Sequence, residues 1–110
     1  MTPGQAFVLN LAGYKVTVEW RADLQDYAEC SGRWDPNKRT IELDAGLSPT
    51  ESKETLIHEC VHAISDLYAL DLEEATVRIL GLGLHQMLAS FIYEIAAIHD
   101  TPLEKYASNR

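Results

Sequence analysis

The sequence predicts an α+β fold in which a small, mainly antiparallel sheet of three to four strands is followed by two long helices. Within residues 6–43, short segments alternate apolar and polar residues, which is typical of half-buried strands. Residues 49–68 combine a helix-start signal with helical apolar spacing, and a second periodic segment runs to about His99. Because the strands precede the helices, the pattern favours α+β over alternating βα units.

The strand predictions rest on this alternation and on the turn residues between the segments. The first two strands are expected at residues 6–11 and 14–20, separated by an Ala-Gly turn. After a polar connection, a third strand is expected at residues 28–34 and, beyond a proline turn, a fourth at residues 39–43. We expect the strands to follow one another in sequence order. The residues expected in the core are Val16, Val18, Trp20, Cys30, Ile41 and Leu43.

The first helix has a recognisable start. Ser48 is predicted to cap it, Pro49 occupies the first helical position, and Glu51 closes a capping box. A sheet this small needs a cover, and the apolar stripe of this helix is suited to that role. The stripe consists of Leu56, Ile57, Cys60, Val61, Ile64 and either Leu67 or Tyr68.

This helix also contains a His-Glu-x-x-His pattern. His58 and His62 lie one turn apart on one face, so both imidazoles can reach a single zinc ion. Glu59 is offset by roughly 100°, which suits a carboxylate that takes a proton from a water on the metal. The alternative is that the histidines are polar residues near a core and Glu59 is solvated. Two histidines and a glutamate in this register serve packing poorly, which favours the zinc site.

A hydrolytic zinc site normally takes three protein ligands, so the pattern needs a third. The candidates beyond it are Asp66, Asp71, Glu73, Glu74, His85 and His99. Glu74 can reach the metal only if the chain turns around residues 69–71 and the second helix runs back along the first. From the residues alone Glu73 remains an alternative ligand, and Glu74 has the alternative role of closing a capping box that begins at Asp71.

The second helix is predicted to place an apolar face against the rest of the domain. Gly81 and Gly83 weaken this helix, and we expect them to allow close approach to the first helix. The predicted face consists of Val77, Leu80, Leu84, Met87 or Leu88, and Phe91.

Composition narrows the function. The 110 residues are predicted to form a single domain, 1–110, with residues 103–110 a loose tail. A formal net charge of −8 argues against a nucleic-acid partner. We expect no membrane span and no signal peptide. Because two cysteines are too few for a secreted disulfide scaffold, we expect a cytoplasmic protein with Cys60 as a small core residue.

Three segments together resemble the ImmA/IrrE family of zinc metallopeptidases, in particular its small phage-borne members: Ile41-x-Leu43, residues 54–64 and residues 72–84. The resemblance implies a minimal zincin-like metallopeptidase core. In that family the third ligand is a glutamate on the helix after the motif, followed by small and apolar residues. Glu74 matches that register better than Glu73.

The function that we expect is therefore zinc-dependent hydrolysis of a peptide bond in a protein or peptide substrate. We expect His58, His62 and Glu74 to hold Zn²⁺ and Glu59 to act as the general base. An exposed edge strand would bind the substrate backbone, and Asp66 is a candidate for orienting His62. The candidates for stabilising the oxyanion are Tyr27, Tyr68 and His85.

Two alternative functions remain at this stage. The first is a non-catalytic binding protein that captures a protein partner and keeps a structural or vestigial metal site. The second is a hydrolase of small amides, which a deep closed pocket would favour, whereas an open groove beside a strand favours a peptidase.

Overall fold

The computed structural model of the chain describes residues 2–100, with the exception of the side chains of Tyr27 and of residues 91–100. The predicted tail and the predicted role of Phe91 lie outside the described residues. The elements in chain order are β1 (Ala6–Leu11), β2 (Tyr14–Arg21), α1 (Leu24–Ala28), β3 (Gly32–Asp35), β4 (Thr40–Asp44), α2 (Pro49–Leu67) and α3 (Glu74–Asp100).

The four strands form one mixed sheet in the order β1-β2-β4-β3. β1 pairs with β2, and β3 with β4, in antiparallel fashion, whereas β2 and β4 are parallel. This confirms the α+β class and a mainly antiparallel sheet, but the strands do not follow one another in sequence order. Every residue of β4 is buried, and a strand buried on both faces belongs in the middle of a sheet. The shorter β3 is therefore left at the edge.

The connection between β2 and β3 corrects a second expectation. Residues 24–28 form a short helix, and the third strand covers only residues 32–35 instead of 28–34. Leu24 is fully buried, and Asp44 of β4 accepts a hydrogen bond from the backbone N–H of Gln25 at 2.7 Å. These long-range contacts stabilise a helical turn that local alternation does not reveal, and Cys30, predicted for the core, is only half-buried.

The core between the sheet and α2 agrees with the sequence prediction. The buried cluster consists of Val16, Val18, Trp20, Ile41 and Leu43, and the half-buried Leu56, Cys60 and Leu67 of α2 pack against it. Helix α2 begins as predicted: the Ser48 hydroxyl accepts from the N–H of Glu51 at 3.2 Å, and the Glu51 carboxylate accepts from the N–H of Ser48 at 3.1 Å.

The chain reverses between α2 and α3, as the choice of Glu74 requires. Ala69 and Asp71 both adopt left-handed backbone angles, with φ of 54° and 53°. The buried hydroxyl of Ser65 accepts a hydrogen bond from the N–H of Leu72 at 2.9 Å. These features end α2 and return the chain so that α3 packs along α2.

The face that α3 turns toward α2 differs from the prediction. Val77 and Gly81 are buried, whereas Leu80, Leu84 and Met87 are exposed. The contact is made at Gly81, where the helix lies so close to the backbone of His58 that there is room for little more than a methyl group. Because α3 contacts α2 at Gly81, Leu80 and Leu84 lie on the exposed side of α3. Among residues 2–100, no helix is both long enough and apolar enough to cross a membrane.

Candidate metal centre

The two histidines of the motif occupy the middle of α2, on the side that faces α3. Their rings stand edge to face with centroids 4.9 Å apart, so that both Nε2 atoms point to one region. Both side chains are partly exposed, at 27% for His58 and 29% for His62. The helix thus presents two nitrogen ligands that solvent can reach.

Glu74, the first residue of α3, lies against both imidazoles. Its Oε1 is 3.0 Å from Nε2 of His58, and its Oε2 is 2.9 Å from Nε2 of His62. One potential ligand atom from each of the three residues lies within 4.8 Å of the others. The structure therefore brings together the three predicted ligands, and this group could hold a metal ion.

The chemistry of the donors fits a zinc ion. Two imidazole nitrogens and one carboxylate oxygen are a ligand set that catalytic zinc uses. Atoms that coordinate zinc tetrahedrally lie about 3.4 Å from one another. The contacts of 2.9 and 3.0 Å join two different oxygens of Glu74 to the two histidines. One potential ligand atom from each residue lies within 4.8 Å of the others, so small side-chain adjustments would let the three share one ion.

Glu59 lies next to this group but outside it. Its side chain is buried, and burial together with the charge of Glu74 raises the pKa of its carboxyl to about 7. The backbone N–H of Trp34 donates a hydrogen bond to this carboxylate and partly opposes the rise. A carboxyl group with a pKa near neutrality can accept and return a proton at physiological pH.

The edge strand β3 borders the site. The carbonyl of Ser31 accepts from the N–H of Asp44 at 2.9 Å, which makes these two a hydrogen-bonded pair. In an antiparallel ladder the alternation then turns the backbone groups of Gly32 and Trp34 away from β4, toward the free edge. The contact between Trp34 and Glu59 agrees with this arrangement, so the free edge faces the metal ligands.

Three adjoining recesses make this region an open groove along β3. The central one has a volume of about 450 Å³ and is lined by the three potential ligands together with Glu59 and Trp34. The side chain of Glu74 is 63% exposed, so the groove is open to solvent at the potential ligands. An extended chain would fit this shape better than a small, enclosed ligand.

The other residues singled out from the sequence take positions around or outside the site. Asp66 accepts a hydrogen bond from Nε1 of Trp34 at 3.3 Å, a different partner from the predicted His62. Nδ1 of His85 lies 3.9 Å from the Glu54 carboxylate, in a recess between the helices away from the ligands. Tyr68 is 61% exposed at the end of α2. The side chain of Tyr27 lies outside the described residues.

Cys60 packs against the core as predicted. Burial, followed by the charge of Glu59, raises the pKa of its thiol to about 11. Such a thiol stays protonated at neutral pH and is a poor metal ligand.

Two residues of the site have no counterpart in the sequence predictions. Trp34 holds Glu59 through its backbone, and Arg78 lines the recess beside His58. Only the placement of Glu74 could have pointed to Arg78, which lies one turn further along α3 on the same face.

Comparison with known proteins gives no match to a family model, to a curated protein or to a solved structure. The resemblance to the ImmA/IrrE family therefore remains a prediction from the motif residues.

Proposed function

We propose that this protein is a zinc-dependent peptidase. The observation that carries the proposal is the position of Glu59, a buried carboxyl beside three potential metal ligands and hydrogen-bonded to the backbone of Trp34. Glu42, the buried glutamate of the sheet, is paired with two arginines instead.

His58, His62 and Glu74 would hold the zinc ion. When bound, zinc lowers the pKa of water toward neutrality and polarises a carbonyl group. The histidines would stay neutral in order to donate their Nε2 lone pairs, and Glu74 would supply the negative charge that offsets part of the charge of the ion.

Glu59 would act as the general base and then as the general acid. It would take a proton from the attacking water and transfer it to the nitrogen of the leaving amine. The hydrogen bond from Trp34 orients the carboxylate.

A peptide substrate would add to the free edge of β3. The outward backbone groups of Gly32 and the carbonyl of Trp34 would pair with its main chain, because the N–H of Trp34 already donates to Glu59. This pairing gives affinity independent of side chains. The open groove favours a peptide over a small amide, because an exposed channel cannot enclose a small ligand.

Replacement of Glu59 by Gln tests this function. We expect the Glu59→Gln variant to bind zinc as tightly as the wild type and to hydrolyse a mixture of random-sequence peptides about 10²- to 10⁴-fold more slowly. Glu19→Gln removes the same charge on the outer face of the sheet and should leave hydrolysis unchanged.

Two results would contradict the proposal. Unchanged hydrolysis in Glu59→Gln would remove Glu59 from the mechanism. A folded, zinc-loaded wild type that cuts no peptide in the mixture would favour the binding-protein alternative.

A further inference from the structure

The recess at the Gly32 end of the groove contains an arginine that the proposed mechanism does not use. This recess has a volume of about 300 Å³ and lies between the start of β3, helix α2 and helix α3. His58 and Glu59 form part of its wall, so it adjoins the reacting groups directly. Arg78 contributes from α3, one turn beyond Glu74.

Arg78 differs from the other arginine beside the site. Arg33 donates from its Nε to the Glu42 carboxylate on the outer face of the sheet. Within the described part of the chain, Arg78 has neither an ion pair nor a hydrogen bond through its side chain, and the residue is exposed. Its guanidinium group is therefore available to a ligand in the recess.

Glu54 lines the same recess and carries the opposite charge to Arg78. Its carboxylate lies 3.9 Å from Nδ1 of His85, on the side away from the metal ligands. His85 is three to four residues further along α3 than the last residues of the recess, Gly81 and Leu82. Glu54 on α2 thus lies toward His85, whereas Arg78 lies four residues beyond Glu74 on α3.

The opposite end of the groove has a different charge. A recess of about 420 Å³ beyond His62 is lined by Asp66 and Asp71 together with Trp34. The lining of that recess contains no lysine or arginine, whereas the Arg78 end places one arginine beside Glu54 and Glu59. An acidic substrate residue could therefore pair with an arginine only at the Arg78 end. The two ends of the groove therefore differ in the charged residues that line them.

The edge strand also determines the chain direction in which a peptide would bind in the groove. Antiparallel strand addition is slightly more stable per residue than parallel addition. A peptide antiparallel to β3 would place its amino-terminal part near Trp34 and its carboxyl-terminal part near Gly32. The residues that follow the scissile bond would then lie in the recess of Arg78.

We propose that Arg78 binds a substrate carboxylate on the carboxyl side of the scissile bond. The carboxylate belongs either to Asp or Glu within roughly two positions of the bond, or to the end of the peptide chain. This inference rests on the proposed peptidase function and extends it to a substrate class: peptides that are acidic just after the bond that is cut.

Cleavage of random peptides, read out by mass spectrometry of the products, tests the preference. In the zinc-loaded wild type we expect Asp and Glu to occur about tenfold more often than Asn and Gln at the positions just after the cleaved bond. Arg78→Ala should abolish this preference, and Arg78→Glu should produce a preference for Lys and Arg at the same positions. Lys53→Ala makes the same charge change at an exposed site on α2 outside this recess, and should keep the wild-type preference.

Amidated peptides distinguish the two sources of the carboxylate. If the side chain is bound, the preference persists after the carboxyl termini are amidated. If the terminal carboxylate is bound, amidation suppresses cleavage near the chain end.

Binding provides a readout that does not depend on turnover. In zinc-loaded Glu59→Gln, a fluorescent peptide taken from a good cleavage site should bind about tenfold more tightly than its Glu-to-Gln counterpart. In the double variant Glu59→Gln/Arg78→Ala this difference should vanish, while the zinc content stays the same.

The outcomes separate the two proposals. If the wild type cuts peptides without an acidic preference after the bond, or if Arg78→Ala keeps that preference, the role of Arg78 is wrong and the peptidase stands. If acidic residues are favoured before the bond, the substrate direction and this role are wrong. If zinc-loaded wild type cuts no peptide, both the proposed peptidase function and the role of Arg78 are wrong.

Discussion

Oε2 of Glu74 lies 2.9 Å from Nε2 of His62, although the two residues belong to different helices. The contact exists because the chain reverses at Ala69 and Asp71, which adopt left-handed backbone angles, so that α3 runs back along α2. The group that could hold a metal ion is therefore complete only when the two helices are packed. Metal binding and helix packing should stabilise each other.

Removal of Glu74 should release the metal. We expect Glu74→Ala to lower zinc affinity at least about 100-fold, because it removes one of the three proposed ligands. Glu73→Ala is the matched control, since it deletes the neighbouring exposed carboxylate and should keep one zinc ion per chain. Zinc content after dialysis and isothermal titration measure both effects. Loss of zinc from the Glu73 variant alone would make Glu73 the ligand.

The close approach of Gly81 to α2 should limit the size of its side chain. A Cβ at this position would lie 3.4 Å from the Cα of His58, which is ordinary contact, so Gly81→Ala should fit and gain up to about 1 kcal/mol of helix propensity. Gly81→Leu should separate the helices and weaken zinc binding.

Gly83 provides the control for this effect. In the described part of the structure, a Cβ at Gly83 meets nothing within 4 Å, so Gly83→Leu should leave zinc affinity unchanged. Urea denaturation and zinc titration of the three variants test this prediction. Equal zinc affinities for the two leucine variants would contradict the role of Gly81 in positioning the helices.

Glu59 should make the metal-free protein less stable as the pH rises. Its folded pKa of about 7 lies above the ordinary value of 4.5, so the folded state holds a proton that the unfolded state has lost between these values. Stability is therefore lost as pH rises from 4.5 through 7, by up to about 3 kcal/mol.

Glu59→Gln should remove this loss. With a chelator present, the variant should be more stable than the wild type at pH 8 and equally stable at pH 4, as measured by urea denaturation. A constant difference across this range would show that the Glu59 carboxyl does not titrate as described.

Glu42 should have the opposite dependence on pH. Burial by itself would raise the pKa of its carboxyl most strongly, but the hydrogen bonds and charges of Arg33 and Arg21 outweigh it, and the pKa is lowered. The stabilisation is present above the unfolded value of 4.5 and is lost as pH falls through the lower folded pKa.

Substitution of Glu42 measures this stabilisation. At pH 7, Glu42→Gln should cost about 1–3 kcal/mol, because it weakens hydrogen bonds between charged groups. The cost should shrink as the pH falls below 4.5. A cost that persists undiminished into acid would assign the effect to packing rather than to charge.

The elements that sequence analysis predicts well depend on neighbours in the chain. The start of α2 follows from Ser48 and Glu51, which satisfy backbone groups three residues away. His58 and His62 share a face because the helical repeat puts them there. Alternation in β2 likewise determines that Val16 and Val18 are buried.

The elements that it predicts poorly depend on partners far away in the sequence. Helix α1 forms where Asp44 accepts a hydrogen bond from Gln25, and β4 enters the middle of the sheet because its residues are buried on both faces. The face of α3 follows from the fit of Gly81 against His58, which no periodicity of α3 alone reveals.

The candidate site divides in the same way. The sequence by itself determined the two histidines and Glu59, because one helical turn relates them. The residues alone left Glu73 open beside Glu74, which the family resemblance favoured. Only the tertiary structure placed Glu74 against both histidines and brought Trp34 and Arg78 to the groove, since their positions depend on where β3 and α3 pack against α2.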